Sequence, residues 1–112
     1  TSDVPDRYKL ENEIATATLD ACFRIHRELG PGLLESTYQA CLVHELRDEG
    51  FQVEREVALP VRYRGLEIEA GYRIDMIVED LILIENKSIQ TLLPVHDAQL
   101  LTYLKLSGRR VG

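Results

Sequence analysis

No apolar run in this 112-residue sequence approaches the roughly 18 residues a helix needs to cross a bilayer. That excludes a helical membrane span. The first residues, Thr1-Ser2-Asp3-Val4-Pro5-Asp6, lack the pattern of a secretory signal, so the default expectation is a cytoplasmic location. Cysteine is scarce. Cys22 and Cys41 fall at apolar positions of predicted helices, where small buried hydrophobes kept reduced are the simplest reading. No Cys/His spacing suggests zinc. Positive charge is also short: 13 Lys and Arg against 19 Asp and Glu leave a net charge of −6. A broad basic surface that grips nucleic acid by counterion release is therefore not expected, although a local basic strip beside an acidic site would fit.

The length suits one domain, residues 1–112, with a single real core. Residues 1–10 are polar and expected to fray. From Glu11 to Leu29, Ile14, Ala17, Ala21, Cys22, Ile25 and Leu29 have the spacing of an amphipathic helix, which Gly30-Pro31-Gly32 ends. A second helix is predicted over 33–49, with Leu34, Tyr38, Cys41, Leu42 and Leu46 on one face. Glu35 projects into that apolar stripe. It reads either as a first-turn glutamate favoured by the helix dipole or as a carboxylate aimed into a site. After Gly50 the period becomes two. Strands are predicted over 51–63, interrupted near Pro60, and over 66–70 as a short exposed strand beyond the Arg64-Gly65 turn. Residues 88–93 read as a connection, and Pro94 opens a third helix that Ser107-Gly108 ends. This helix is apolar nearly all round, which predicts packing on more than one side, against the sheet and against either the first helix or another subunit in a possible homodimer. Arg109 to Gly112 read as the start of another strand.

Between these elements lies a run from Tyr72 to Lys87 that reads as two apolar strands joined by an acidic turn. It carries Asp75 on the first strand, then Glu85 and Lys87 two apart on the second. Burying such charges costs several kcal/mol apiece unless they are paired, hydrogen-bonded or bound to a metal, a rough figure from transfer energetics. A structural salt bridge is the competing explanation. Glu85 and Lys87 must share a face of their strand. Asp75 joins them only if the turn holds an odd number of residues or a bulge intervenes. A three-residue turn around Asp80, or a bulge, is therefore predicted.

Asp75 followed by Glu85-x-Lys87, within an order of helix, helix, strands, helix and strand, resembles the PD-(D/E)XK nuclease superfamily. Gly32-Leu33-Leu34-Glu35-Ser36-Thr37-Tyr38 is similar to the signature of its GxxExxY branch. The flanking His26–Glu35 and Pro94–Lys105 segments also resemble that branch, and Gln99-x-x-x-Tyr103 matches the QxxxY element of RecB-like members. Ile74 stands where the superfamily name has proline.

The resemblance implies an α/β (α+β) fold: an αβββαβ core with a central mixed sheet flanked by helices, plus an extra N-terminal helix. A final strand would be expected after Gly112. It also implies a metal-dependent nuclease acting on DNA or RNA with Mg2+ or Mn2+. Asp75 and Glu85 would be the primary metal ligands, with the Asn86 carbonyl nearby, and Glu35 would complete the shell directly or through water. Lys87 would position the attacking water or stabilise transition-state charge. Gln99 and Tyr103 would contact the phosphate or hold Lys87, against the simpler reading of a polar helix pair with the ring in the core. His26 reads as a hydrogen-bonded boundary residue, and His44 and His96 as surface or capping residues. The alternative function is a catalytically silent module that binds nucleic acid or a protein partner.

Overall fold

The computed structural model describes residues 3–69, 71–87 and 93–112, with side chains from Arg7 onward. Helix α1 spans Asp3–Leu29 and α2 spans Glu35–Asp48. Five strands follow, β1 Val53–Ala58, β2 Val61–Tyr63, β3 Leu66–Ile68, β4 Arg73–Val78 and β5 Ile82–Ile84, and α3 Pro94–Ser107 comes after them. The expected connection over 88–93 lies, apart from Leu93, outside the described residues. Among them no helix is long and apolar enough to cross a membrane.

Antiparallel pairing orders the main sheet β1-β4-β5, while β2 and β3 form a separate hairpin. Pro60 accounts for the break, since it has no N–H to continue the ladder. Beyond β5, Leu83 N–H donates to the Val111 carbonyl at 3.1 Å, and Val111 bridges Ile82 in parallel. The segment from Arg109 thus enters beside β5 as a strand would, which makes the sheet mixed.

Both faces of β4 are covered, as its nearly continuous apolar sequence requires. On one face, Met76, Val78 and Ile82 pack with Ile14, Ala21 and Ile25 of α1 and Leu42, Val43 and Leu46 of α2. On the other, Ile77 and Leu83 meet Ile74, Leu59 and Tyr103 of α3, with Leu100 and Leu104 at the edge.

Four expectations need correction. Residues 3–10 are helical, not frayed. Pro5 is tolerated in a first turn, and Glu11 and Tyr8 are tied to Arg110 near the other end of the chain. The buried stripe of α2 runs through Gln39, Leu42, Val43 and Leu46, leaving Leu34 73% exposed. Helix α3 is packed on one side: Tyr103 is buried, while Val95 and Leu101 are 64% and 67% exposed. Cys22 is likewise exposed and Cys41 half-buried, both as free thiols. His96 caps α3 as expected, its Nδ1 accepting the Leu93 N–H at 2.9 Å.

Candidate metal centre

The acidic turn decides whether the two carboxylates meet. Val78 pairs with Ile82, so the loop holds three residues, Glu79, Asp80 and Leu81. Glu79 and Asp80 take left-handed φ values of 52° and 56°, and Leu81 N–H closes the turn on the Val78 carbonyl at 3.0 Å. With Met76 opposite Ile84, the next residues outward in this register are Asp75 and Glu85. The odd-numbered turn therefore does what the sequence required of it. Asp75 N–H donates to Glu85 Oε1 at 3.1 Å, and Asn86 N–H donates to Asp75 Oδ2 at 2.9 Å.

A second device acts from the β1 side. Glu56 sits in the middle of a strand with φ 50°, a conformation that costs a non-glycine residue about 1–3 kcal/mol. Pairing passes from Arg55–Met76 to Val57–Ile74 without a Glu56–Asp75 rung. The register is the same on both sides, so neither strand holds an extra residue and this is no ordinary bulge. The hydrogen-bond phase nevertheless changes. Gln52 accepts from Glu79 N–H at 2.8 Å and Leu59 N–H donates to Tyr72 at 2.9 Å. Bonded positions alternate along an unbroken antiparallel ladder, and Gln52 and Leu59 cannot both be such positions in one. The slip moves Ile74 into the same core cluster as Ile77, away from Met76 and Val78. Gln39 secures the dislocation. Its side chain, 6% exposed, donates from Nε2 to Glu56 Oε1 at 3.0 Å and to the Asp75 carbonyl at 3.2 Å. Asp75 is thus held by its N–H, its C=O and its carboxylate together.

Sequence reading missed Gln39 and Glu56. Gln39 had a signal: a polar side chain one helical turn from Glu35 and from Leu42–Val43, on the buried face of α2. Glu56 had none, because nothing in the sequence marks a left-handed residue within a strand.

The other candidates stand at varying distance from the pair. Glu35 lies in the first turn of α2, exposed, on the same helix side as Gln39. Tyr38 of the same motif is structural: its hydroxyl donates to the Gly30 carbonyl at 2.6 Å, beside exposed His26, and so fastens the turn between α1 and α2. Lys87 is exposed just past β5, close enough for its charge to act on Glu85. Gln99 Nε2 donates to the Tyr103 hydroxyl at 3.2 Å, and the Tyr103 ring is buried edge-on to Tyr72. This pair sits on the α3 side of the sheet and bonds within its own helix. An open groove of about 710 Å³ between α1 and Glu49–Phe51 contains none of these residues.

Electrostatically Glu85 disagrees with its surroundings. Glu85 is pushed up to about 7, first by burial and then by the Asp75 carboxylate, with the Asp75 N–H and Lys87 pulling the other way. Among the described residues no third His, Cys, Asp or Glu joins them in a metal-holding cluster. Two adjacent hard-oxygen carboxylates, one of them poorly compensated, suit magnesium, which binds through one or two carboxylates and keeps several waters.

Comparison with curated proteins and with solved structures finds no match. The family model of the PD-(D/E)XK nuclease superfamily matches residues 12–112, a span that holds Glu35, Asp75, Glu85, Lys87, Gln99 and Tyr103. Read with the mixed sheet between helices and the carboxylates paired upon it, that match shows that the chain belongs to the PD-(D/E)XK nuclease superfamily.

Proposed function

We propose that this chain is a Mg2+- or Mn2+-dependent nuclease of the GxxExxY branch that hydrolyses phosphodiester bonds of DNA or RNA. One observation carries the reading. Asp75 and Glu85 are brought together by a turn of odd length, and their mutual repulsion is only partly answered by Lys87. A divalent cation would answer it. Such an ion, when bound, polarises the phosphoryl group and lowers the pKa of an attacking water.

The residues of the chain then divide the work. Asp75 and Glu85 bind the ion, with their orientation fixed by Asn86, Gln39 and the Asp75 N–H. Glu35, on the Gln39 side of α2, reaches the shell through water. Lys87 orients the nucleophilic water or meets charge developing on the phosphate. Gln99, supported by the Tyr103 hydroxyl, offers its amide to the phosphate. Two free cysteines suit a reducing cytoplasm.

The test combines cleavage with calorimetry on the full chain. The wild type should cut at least one of single-stranded DNA, duplex DNA and RNA with Mg2+ or Mn2+. Asp75→Ala should lose both metal binding and cleavage. Lys87→Ala should keep the metal but lose about 100-fold or more in rate. A wild type that neither cuts any substrate nor binds either ion would overturn the proposal.

A further inference from the structure

Among the described residues, the β2–β3 hairpin forms a sheet of its own, apart from β1-β4-β5. Two-stranded hairpins are marginal in water unless something covers their apolar face. Here the register places Val61 opposite Ile68 and Tyr63 opposite Leu66, all four on one face, with Arg62 and Glu67 on the other. That apolar face is open: Tyr63 and Leu66 are each 59% exposed and Ile68 is 39% exposed. At the tip, Arg64 and Gly65 both take left-handed φ values, 47° and 84°, as a tight two-residue hairpin turn demands. The Arg64 guanidinium lies over the Tyr63 ring, 5.4 Å from its centroid.

We infer that this hairpin is the arm that holds a single-stranded nucleic acid and leads it to Asp75 and Glu85. Its placement beside a catalytic centre rests on the nuclease reading, but its binding chemistry does not. Charge makes this the part of the chain most open to a polyanion. Residues 53–73 hold four arginines and four glutamates, an even balance in a chain whose net charge is −6. Arg62 faces Glu67 at 3.9 Å, while Arg55, Arg64 and Arg73 are exposed. Position favours a strand running to the site. β1 and β4 continue outward past Glu56 and Asp75 into this hairpin, and a second Tyr-Arg pair, Tyr72-Arg73, stands at the junction with Tyr72 48% exposed. Chemistry favours unpaired bases. An aromatic ring with a guanidinium on its face, beside Leu66 and Ile68, offers planes on which bases stack, whereas a duplex presents mainly sugar and phosphate.

The experiment measures binding by fluorescence anisotropy in EDTA, where no cleavage occurs. Labelled oligodeoxythymidine, oligouridine and a DNA duplex serve as probes, across a salt series. The wild type should prefer the single strands, and the two of these separate DNA from RNA. Tyr63→Ala should weaken binding about 10-fold without changing its salt dependence, and Tyr63→Phe should restore it. Arg64→Ala should reduce the salt slope by about 0.7, one phosphate contact to a single strand. Thermal unfolding of each variant controls for folding. The inference falls if the wild type binds none of the probes or prefers the duplex, or if both alanine variants bind as it does. It also falls if Tyr63→Ala dissociates a dimer, because a second copy then covers the face. A cleavage assay separates this from the nuclease reading. An inactive wild type whose hairpin variants lose binding sinks only the nuclease, and an active one whose variants keep their KM sinks only the arm.

Discussion

Glu85 shows how much one side chain's neighbours decide. Burial and the Asp75 carboxylate together hold its pKa near 7, against an ordinary value of 4.5. Below 4.5 the group is protonated whether the chain is folded or not. Between 4.5 and about 7 the folded protein keeps a proton that the unfolded chain has released. Raising the pH through that window therefore removes stability. Glu85→Gln keeps an oxygen to accept the Asp75 N–H and deletes the titration. In EDTA its Tm should exceed that of the wild type at pH 8, by on the order of 2 kcal/mol of stability at most, since solvent reaches part of the carboxylate. The advantage should fade towards pH 5. Equal differences at both pH values, read by calorimetric melting, would show that Glu85 does not titrate in this window. Added Mg2+ should stabilise the wild type and leave the variant unmoved.

Among the elements, the central one is β4, and its partners on either side break rules in order to present Asp75. On the β5 side the turn length does this, and it was legible: Glu85 and Lys87 share a face, so for Asp75 to join them parity required an odd loop or a bulge, and the loop is odd. On the β1 side the dislocation at Glu56 does it, and this was not legible, because φ at Glu56 is set by tertiary contacts rather than by local preference. Helix α2 lies between these cases. Its periodicity gave the helix but set its buried stripe a little off, since Leu34 looks like core and Gln39 does not. The polar residue was drawn inside by bonds to Glu56 and to the Asp75 carbonyl that no hydropathy pattern encodes. Helix α3 differs in the opposite sense. Apolar residues nearly all round it predicted packing on more than one side, against the sheet and against α1 or another subunit, yet within the chain the Tyr103 side is the buried one. The Gln39 link is open to test. Gln39→Met keeps the volume and removes the donor, so Asp75 loses an anchor one bond from its Cα. Mn2+ affinity by calorimetry should fall about 10- to 100-fold, the usual effect of losing an outer-shell support of a metal ligand. Glu56→Gln keeps the side-chain length and an oxygen that can accept from Gln39, so it should bind the ion nearly as the wild type does. If Gln39→Met binds Mn2+ with unchanged affinity, the dislocation is incidental to the metal centre.

Across the whole molecule, the two ends of the chain are fastened to each other. Arg110 donates from Nε and Nη2 to both oxygens of Glu11, at 2.7 to 3.2 Å, and its guanidinium lies 4.0 Å from the centroid of the Tyr8 ring. Glu11 is only 5% exposed. The clasp holds the start of α1 against the segment that carries Val111 to the edge of β5, and so closes the layer of helix over the sheet that bears the site. The hydrogen bond from Arg110 keeps the Glu11 carboxyl below the usual glutamate range despite its burial. A depressed folded-state pKa means that the contribution is full above the ordinary glutamate value and is lost as pH falls through the folded one. Glu11→Gln should therefore lower Tm by several degrees at pH 7, equivalent to about 1–2 kcal/mol for a lost charge-assisted hydrogen bond. The two proteins should converge at acid pH, where the wild-type carboxyl also becomes neutral. Hydrogen exchange gives a second readout. Amides of the first turns of α1 and the Leu83 N–H, which bonds to Val111, should lose protection together in the variant, whereas the Asp75 and Asn86 amides keep theirs. Loss of protection spread evenly over all of these would mean that Glu11 and Arg110 support the core as a whole and do not clasp the two ends.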